Sequence, residues 1–128
     1  MNHLAKEFGA GDRQAQIDLA DAYVQLGDLQ GKPYEANIGD SSGARSSYEK
    51  ALEILRRLRP SDDVNYQRSL AKAEENYAYL LIFRYEQNDN GLANIESAKQ
   101  RREAIYAAHP QADFARRELA QTLCFIKD

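Results

Sequence analysis

The chain has 128 residues, long enough for one domain with a real core. Hydrophobic residues make up 43% and charged residues 29%, and 17 basic against 20 acidic residues leave a net charge of −3, which excludes a bulk electrostatic pull toward nucleic acid or an anionic membrane. A single cysteine, Cys124, excludes an internal disulfide and a multi-cysteine zinc site. No apolar run approaches ~18 residues. The start, Met1-Asn2-His3-Leu4-Ala5-Lys6, lacks the apolar stretch of a signal peptide. A cytoplasmic setting is the default expectation.

Residues 1–11 are mixed and punctuated by Gly9 and Gly11, and read as a leader or a partial helix. Asp12 is a candidate N-cap for a first helix over about 12–28. Its stripe is Leu19, Tyr23 and Leu26, widened by Ile17 and Ala20, with Gly27-Asp28 as its end. Loop 29–40 follows, broken by Gly31, Pro33 and Gly39. Its apolar residues Pro33, Tyr34 and Ile38 are expected to pack back onto the helices.

Asp40-Ser41-Ser42 offers caps for a second helix over about 41–59. The stripe Ala44, Tyr48, Ala51, Leu52, Leu55, Leu58 is strongly amphipathic, and Glu53 can pair with Arg57. Pro60-Ser61-Asp62-Asp63 ends that helix and caps a third, over about 63–87, with Tyr66, Leu70, Ala73, Tyr77 and Leu81 on its stripe. The band Tyr77–Tyr85 is apolar nearly all round, which marks a central helix with Tyr79 and Phe83 as candidates for an exposed concave face. Asn88-Asp89-Asn90-Gly91 reads as a turn. A fourth helix over about 91–108 carries Leu92, Ile95, Ala98, Ile105 and Tyr106, weakened by Arg101-Arg102. A fifth, over about 112–127, carries Ala115, Leu119, Leu123 and Ile126. Short connections favour antiparallel neighbours.

The pairs Leu19-Ala20, Leu70-Ala71 and Leu119-Ala120 recur at roughly 50-residue intervals, a period that signals a stacked helical array. Arg59-Pro60 and His109-Pro110 close two of the units. The places Leu19, Ala20, Tyr23, Gly27-Asp28, Ala44, Tyr48, Ala51 and Pro60 resemble the tetratricopeptide repeat in a long variant. The segment Leu26–Tyr34 with Asn37-Ile38-Gly39-Asp40 is similar to repeat regions of bacterial multidomain signalling proteins such as serine/threonine kinases, although no kinase motif is present. The second unit departs from the pattern: Glu74 stands at the helix A aromatic place, and Asn94, Ala98 and Arg101 in helix B. The resemblance implies an all-α fold of about five helices, in antiparallel pairs stacked as a right-handed superhelix. It divides the chain into a first repeat (12–60, with the inserted loop), a second (61–110) and an incomplete third (111–128).

The resemblance also implies a non-catalytic scaffold. It would bind a protein or peptide on the face of the A helices through Asp21, Gln25, Arg68, Lys72, Asn76, Tyr79, Arg117 and Gln121, with Ile17, Val24, Glu75 and Cys124 alongside. Cationic residues there favour an acidic group. The alternative is a self-association module, a possible homodimer through Leu123, Phe125 and Ile126 on the last helix. No set of residues supplies nucleophile, base and oxyanion donor together. Cys124 reads as buried filler, and Glu74-Glu75 as solvated or paired with a nearby cation. His3 and His109 lack ligand spacing, so no metal or cofactor is expected. The arginine clusters Arg56-Arg57-Arg59, Arg101-Arg102 and Arg116-Arg117 are interspersed with acidic residues and read as solvated faces. Nucleic acid and membrane are not expected partners.

Overall fold

The computed structural model describes residues 2–33 and 35–127, with the side chains of residues 2–11 and 125–127 outside that description. Within it the chain is all-helical: α1 (Asn2–Gly31), α2 (Ser41–Arg57), α3 (Val64–Tyr85), α4 (Asn88–Ala108) and α5 (Asp113–Lys127), with no strand among the described residues. Asp40 caps α2 by accepting from the Gly43 N–H, and Asp63 caps α3 by accepting from the Tyr66 N–H. Each satisfies one of the donors that a helix start leaves open.

Side-chain pairings fix the directions. Gly31 lies against Ala44 and Gly27 against Tyr48, so α1 and α2 are antiparallel. Ile82 lies against Gly91, and Glu74 bonds Ser97, so α3 and α4 are antiparallel too. Asp28 meets Asn76 and Asp21 meets Ser69, so α1 and α3 run parallel. Arg68 meets Glu118 and Glu75 meets Thr122, which sets α5 parallel to α3. The tightest contacts are within the pairs α1–α2 and α3–α4. The molecule is therefore a row of helix pairs, with α1, α3 and α5 side by side.

The α2 stripe is the most reliable feature of the sequence. Ala44, Tyr48, Ala51, Leu52 and Leu55 are all buried, and Leu58 partly so. On α3, Tyr66, Leu70, Ala73 and Leu81 are buried, with Tyr77 packed at the edge. The helix also buries Ser69, Glu74, Glu75 and Asn76, as expected of a central element.

Helix α1 departs from expectation. It is one continuous helix through Gly9, Gly11 and Gly27-Asp28, and Asp12 lies in its interior rather than at a cap. Its buried face is Ile17, Ala20, Val24 and Gly27, not Leu19 and Leu26, which are exposed. The reason is close approach: a Cβ on Gly27 would sit 2.6 Å from Tyr48 Cε1. The small residues are the ones that let α2 in, and the leucines are turned outward. Tyr23 is partly buried, with Lys50 Nζ 5.6 Å from its ring centre.

The loop shrinks to 32–40. It is held by polar bonds as well as by one apolar anchor, Pro33: the Ile38 N–H donates to Leu29 O, the Asp40 N–H to Gln30 O, and Asn37 Nδ2 to Lys32 O and Glu35 O. Pro33 is buried, but Ile38 is exposed. Tyr34 lies outside the described residues.

Asn88–Gly91 is not a turn but the first turn of α4, and the reversal is confined to Glu86 and Gln87. Glu86 takes the left-handed conformation at φ 56. Gly91 is a packing residue, because a Cβ there would run into Ile82 Cγ1. On α4, Leu92 and Tyr106 are exposed, and the buried stripe is Gly91, Ile95, Ala98, Arg102 and Ile105. In the pair α3–α4, the positions equivalent to Ala44, Tyr48 and Ala51 are thus Gly91, Ile95 and Ala98. The places expected at Asn94 and Arg101 shift because the two-residue link starts α4 earlier. On α5, Ala115 and Thr122 are buried, while Leu123 and Cys124 are exposed. Cys124 is therefore not core filler: Thr122, which can bond Glu75, takes the interior place one turn after Glu118.

Candidate functional site

The row of parallel helices α1, α3 and α5, together with Leu92, Ile95 and Arg102 of α4, lines a groove of about 1300 Å³ that reaches Lys32, Pro33 and Glu35 of the loop. Helix α2 contributes nothing to it; it stands behind α1 and α3. Of the residues expected on the A-helix face, the groove brings together Asp21, Gln25, Arg68, Lys72, Asn76, Tyr79 and Gln121, with Ile17, Val24 and Glu75. Arg117 is exposed on α5 but does not line it, and neither does Cys124. Leu123 is exposed on α5; the side chains of Phe125 and Ile126 lie outside the described residues.

The groove has two characters along its length. Toward the C-terminal ends of α1 and α3 it gathers the apolar side chains Val24, Pro33, Ile82, Phe83 and Leu92 beside the paired Lys32 and Glu35. Toward their N-terminal ends it is polar, with Gln14, Asn65, Arg68, Lys72 and Gln121. Both ends belong to one surface because the A helices run parallel.

Beneath the polar half lies an ionic cluster, in which Glu75 takes the paired role that the sequence left open beside solvation. Arg102 is buried, and donates through Nη2 to Glu75 Oε2 at 2.8 Å and through Nη1 to Glu118 Oε1 at 3.2 Å. Glu75 also accepts from Thr122 Oγ1 at 2.7 Å and from the Tyr79 hydroxyl at 2.8 Å. Arg68 donates to Glu118 from Nε at 3.1 Å and from Nη2, and its guanidinium stacks 4.1 Å from the centre of the Phe114 ring. The outward side of α3 repeats the device with Glu74, which accepts from Arg101 Nε at 2.9 Å and from Ser97. Arg101 and Arg102 are thus ion-paired rather than a solvated face, and Glu74 and Glu75 take the paired of their two expected roles. A charge is buried only where partners offset its desolvation, and those partners are distant in sequence. The available signal was weak: two acids and two arginines at matching places on neighbouring helices.

A second buried network ties the groove floor to α2. Asp28 Oδ1 accepts from the Tyr48 hydroxyl at 2.6 Å and from Asn76 Nδ2 at 3.0 Å. Burial, then the Asp28 carboxylate, pushes the Tyr48 phenol far above its ordinary value. Burial, then Glu75, does the same to Tyr79. Both hydroxyls therefore stay protonated donors. Asp21 is half-buried, and desolvation raises its carboxyl above the ordinary carboxylate value, with Ser69 and Lys72 pulling it back. Lys72 is exposed and makes no ion pair among the described residues.

Among the described residues, no group of three or more His, Cys, Asp and Glu is placed to hold a metal ion, and no helix is long and apolar enough to cross a membrane. Compared with known proteins, the chain matches no family model, no curated protein and no solved structure.

Proposed function

We propose that this protein is a tetratricopeptide-like scaffold that binds a protein segment in the groove of its A helices. The observation that carries this reading is the groove itself. Three parallel helices, joined by residues of α4, present one surface with an end rich in apolar side chains, a polar end and a floor whose tyrosines, acids and arginines are already bonded to one another. Such a floor is preorganised and leaves the rim groups for a ligand. The ligand that fits carries an apolar side chain for the Val24–Phe83 end. It also carries an acidic group within reach of Lys72, the groove cation outside the ion pairs. Non-catalytic binding accords with a floor whose Glu75, Arg102 and Glu118 are engaged with one another.

The test is selection of random twelve-residue peptides on the immobilised protein, followed by titration calorimetry on the selected sequences. Binding should fall at least tenfold in Lys72→Glu and in Phe83→Ala. It should be unchanged in Arg117→Ala, whose side chain lies off the groove. Selected peptides that are indifferent to both groove substitutions would remove the reading.

A further inference from the structure

Among the described residues, eight charged side chains line the groove, and six of them pair with one another: Lys32 with Glu35, Arg68 with Glu118, and Arg102 with Glu75. The two left over are Asp21 of α1 and Lys72 of α3, opposite in charge and on neighbouring helices. Register brings them together. Asp21 bonds Ser69 and, further along, Asp28 bonds Asn76, so the two helices stay in step along this seam. Ser69, Lys72 and Asn76 share one edge of α3, at the spacing that puts helical residues on the same side. Lys72 therefore stands within a turn of Asp21. Lys72 is exposed and Asp21 half-buried, so the ammonium on its flexible stem is free to turn from Asp21 to an incoming anion.

An acidic group bound at Lys72 comes to lie beside the Asp21 carboxylate. Two carboxylates sharing one cation resist joint ionisation, and the less solvated one takes a proton. Asp21 is that one. Burial holds its carboxyl above the ordinary value; Ser69, Lys72 and Arg68 of α3 pull it back, and Asp18 of its own helix pushes it up. Arg68 is occupied by Glu118 and does not replace Lys72. No α2 residue and no histidine lines the groove among the described residues. Drawing Lys72 toward a ligand weakens one attraction on Asp21 and adds a repulsion.

Resting on the reading of the groove as a site for a segment with an acidic group at Lys72, we infer that Asp21 regulates that site: binding of the acidic group is coupled to uptake of a solvent proton by Asp21, so the groove holds the segment more tightly in mildly acidic solution than at neutral pH. The effect has a lower bound, because near pH about 4 the ligand's own carboxylate is protonated and its attraction to Lys72 is lost. The sign separates the two acids. A ligand carboxylate that gains a cation releases a proton on binding, whereas Asp21 takes one up.

The test uses histidine-free selected peptides whose binding falls in Lys72→Glu. Titration calorimetry at about pH 6, in two buffers of different ionisation enthalpy, should show net proton uptake on binding. Affinity should rise by about fivefold between about pH 7.5 and about pH 5. In Asp21→Asn the uptake should vanish and affinity should stay flat over that range. Without ligand, the Asp21 carboxyl followed by carbon NMR should titrate at higher pH in Lys72→Met than in the native chain, since the ammonium is one of the groups holding it down. Peptides that need Lys72 but bind with no proton uptake, or with the same uptake in Asp21→Asn, overturn the inference and leave the groove reading standing. An Asp21 titration indifferent to Lys72→Met overturns it too. Selected peptides indifferent to Lys72→Glu overturn it as well, and peptides indifferent also to Phe83→Ala remove the groove reading with it.

Discussion

Leu55 in α2 and Arg102 in α4 occupy equivalent places in the two helix pairs, and the two pairs fill that place with opposite chemistry. Leu55 closes its junction with α3 by apolar contact and is fully buried. Arg102 closes the junction of α4 with α3 and α5 by ionic contact, with Glu75 and Glu118 as partners. The first pair gains from removing hydrocarbon from water, which is tolerant of direction. The second must place every donor on an acceptor, and Arg102 Nε is still left without one. Burial alone therefore does not reveal how a position stabilises the fold. The ionic junction is specific, because its carboxylates come from two different helices, and it is vulnerable to loss of any one member.

The largest effect should come from breaking the ionic junction on one side. Arg102→Met leaves Glu75 buried without its cation and should cost about 3–5 kcal/mol in urea unfolding. Adding Glu75→Gln, which keeps an acceptor for Thr122 and Tyr79 but removes the charge, should restore part of that loss. A double variant no more stable than Arg102→Met would show that the charge is not the source of the cost. Leu55→Ala, the apolar counterpart, should cost about 2–5 kcal/mol by transfer and cavity terms. No second substitution on α3 should rescue it through charge. If Leu55→Ala proves nearly silent, the apolar junction is not the anchor of the first pair.

Smaller effects test the closeness of the first pair and the polarity of the groove. Gly27→Ala pushes a methyl into the Tyr48 ring, which the bond to Asp28 holds in place. Overpacking of this kind should cost roughly 1–3 kcal/mol, read as a lowered thermal midpoint. Asp21→Asn should act in the other direction. The native carboxyl has a raised pKa, so the folded state holds its proton at a pH where the unfolded chain has released it. Stability from this group is present at low pH and is lost as pH rises through the native value. Asparagine removes that loss. The variant should gain stability over the wild type above the ordinary carboxylate range, by less than about 1 kcal/mol given the solvent exposure of the site, and the gain should vanish in acid. A gain that persists unchanged at low pH would trace to something other than ionisation.

Much of the fold was determined by the sequence alone. Five helices, their order, the α2 stripe and the central position of α3 follow from helical periodicity, because an amphipathic stripe must be covered whatever covers it. Seven of the eight residues assigned to the A-helix face line one groove, since a repeat fixes which side of each helix points the same way. Two decisions belonged to the tertiary structure. In α1 two stripes compete, and hydrophobicity favours Leu19 and Leu26. Packing favours Ala20 and Gly27 because only small residues admit Tyr48 at that distance, and the leucines are left outside. In α4, Arg101 and Arg102 look like surface until the chain folds, and in α3 the sequence leaves Glu74-Glu75 between solvation and pairing. Their burial depends on partners that lie on other helices and approach within about 3 Å, a distance at which charge-assisted hydrogen bonds offset desolvation. Periodicity records that a face is covered; it does not record how near the covering atoms come or what charge they carry.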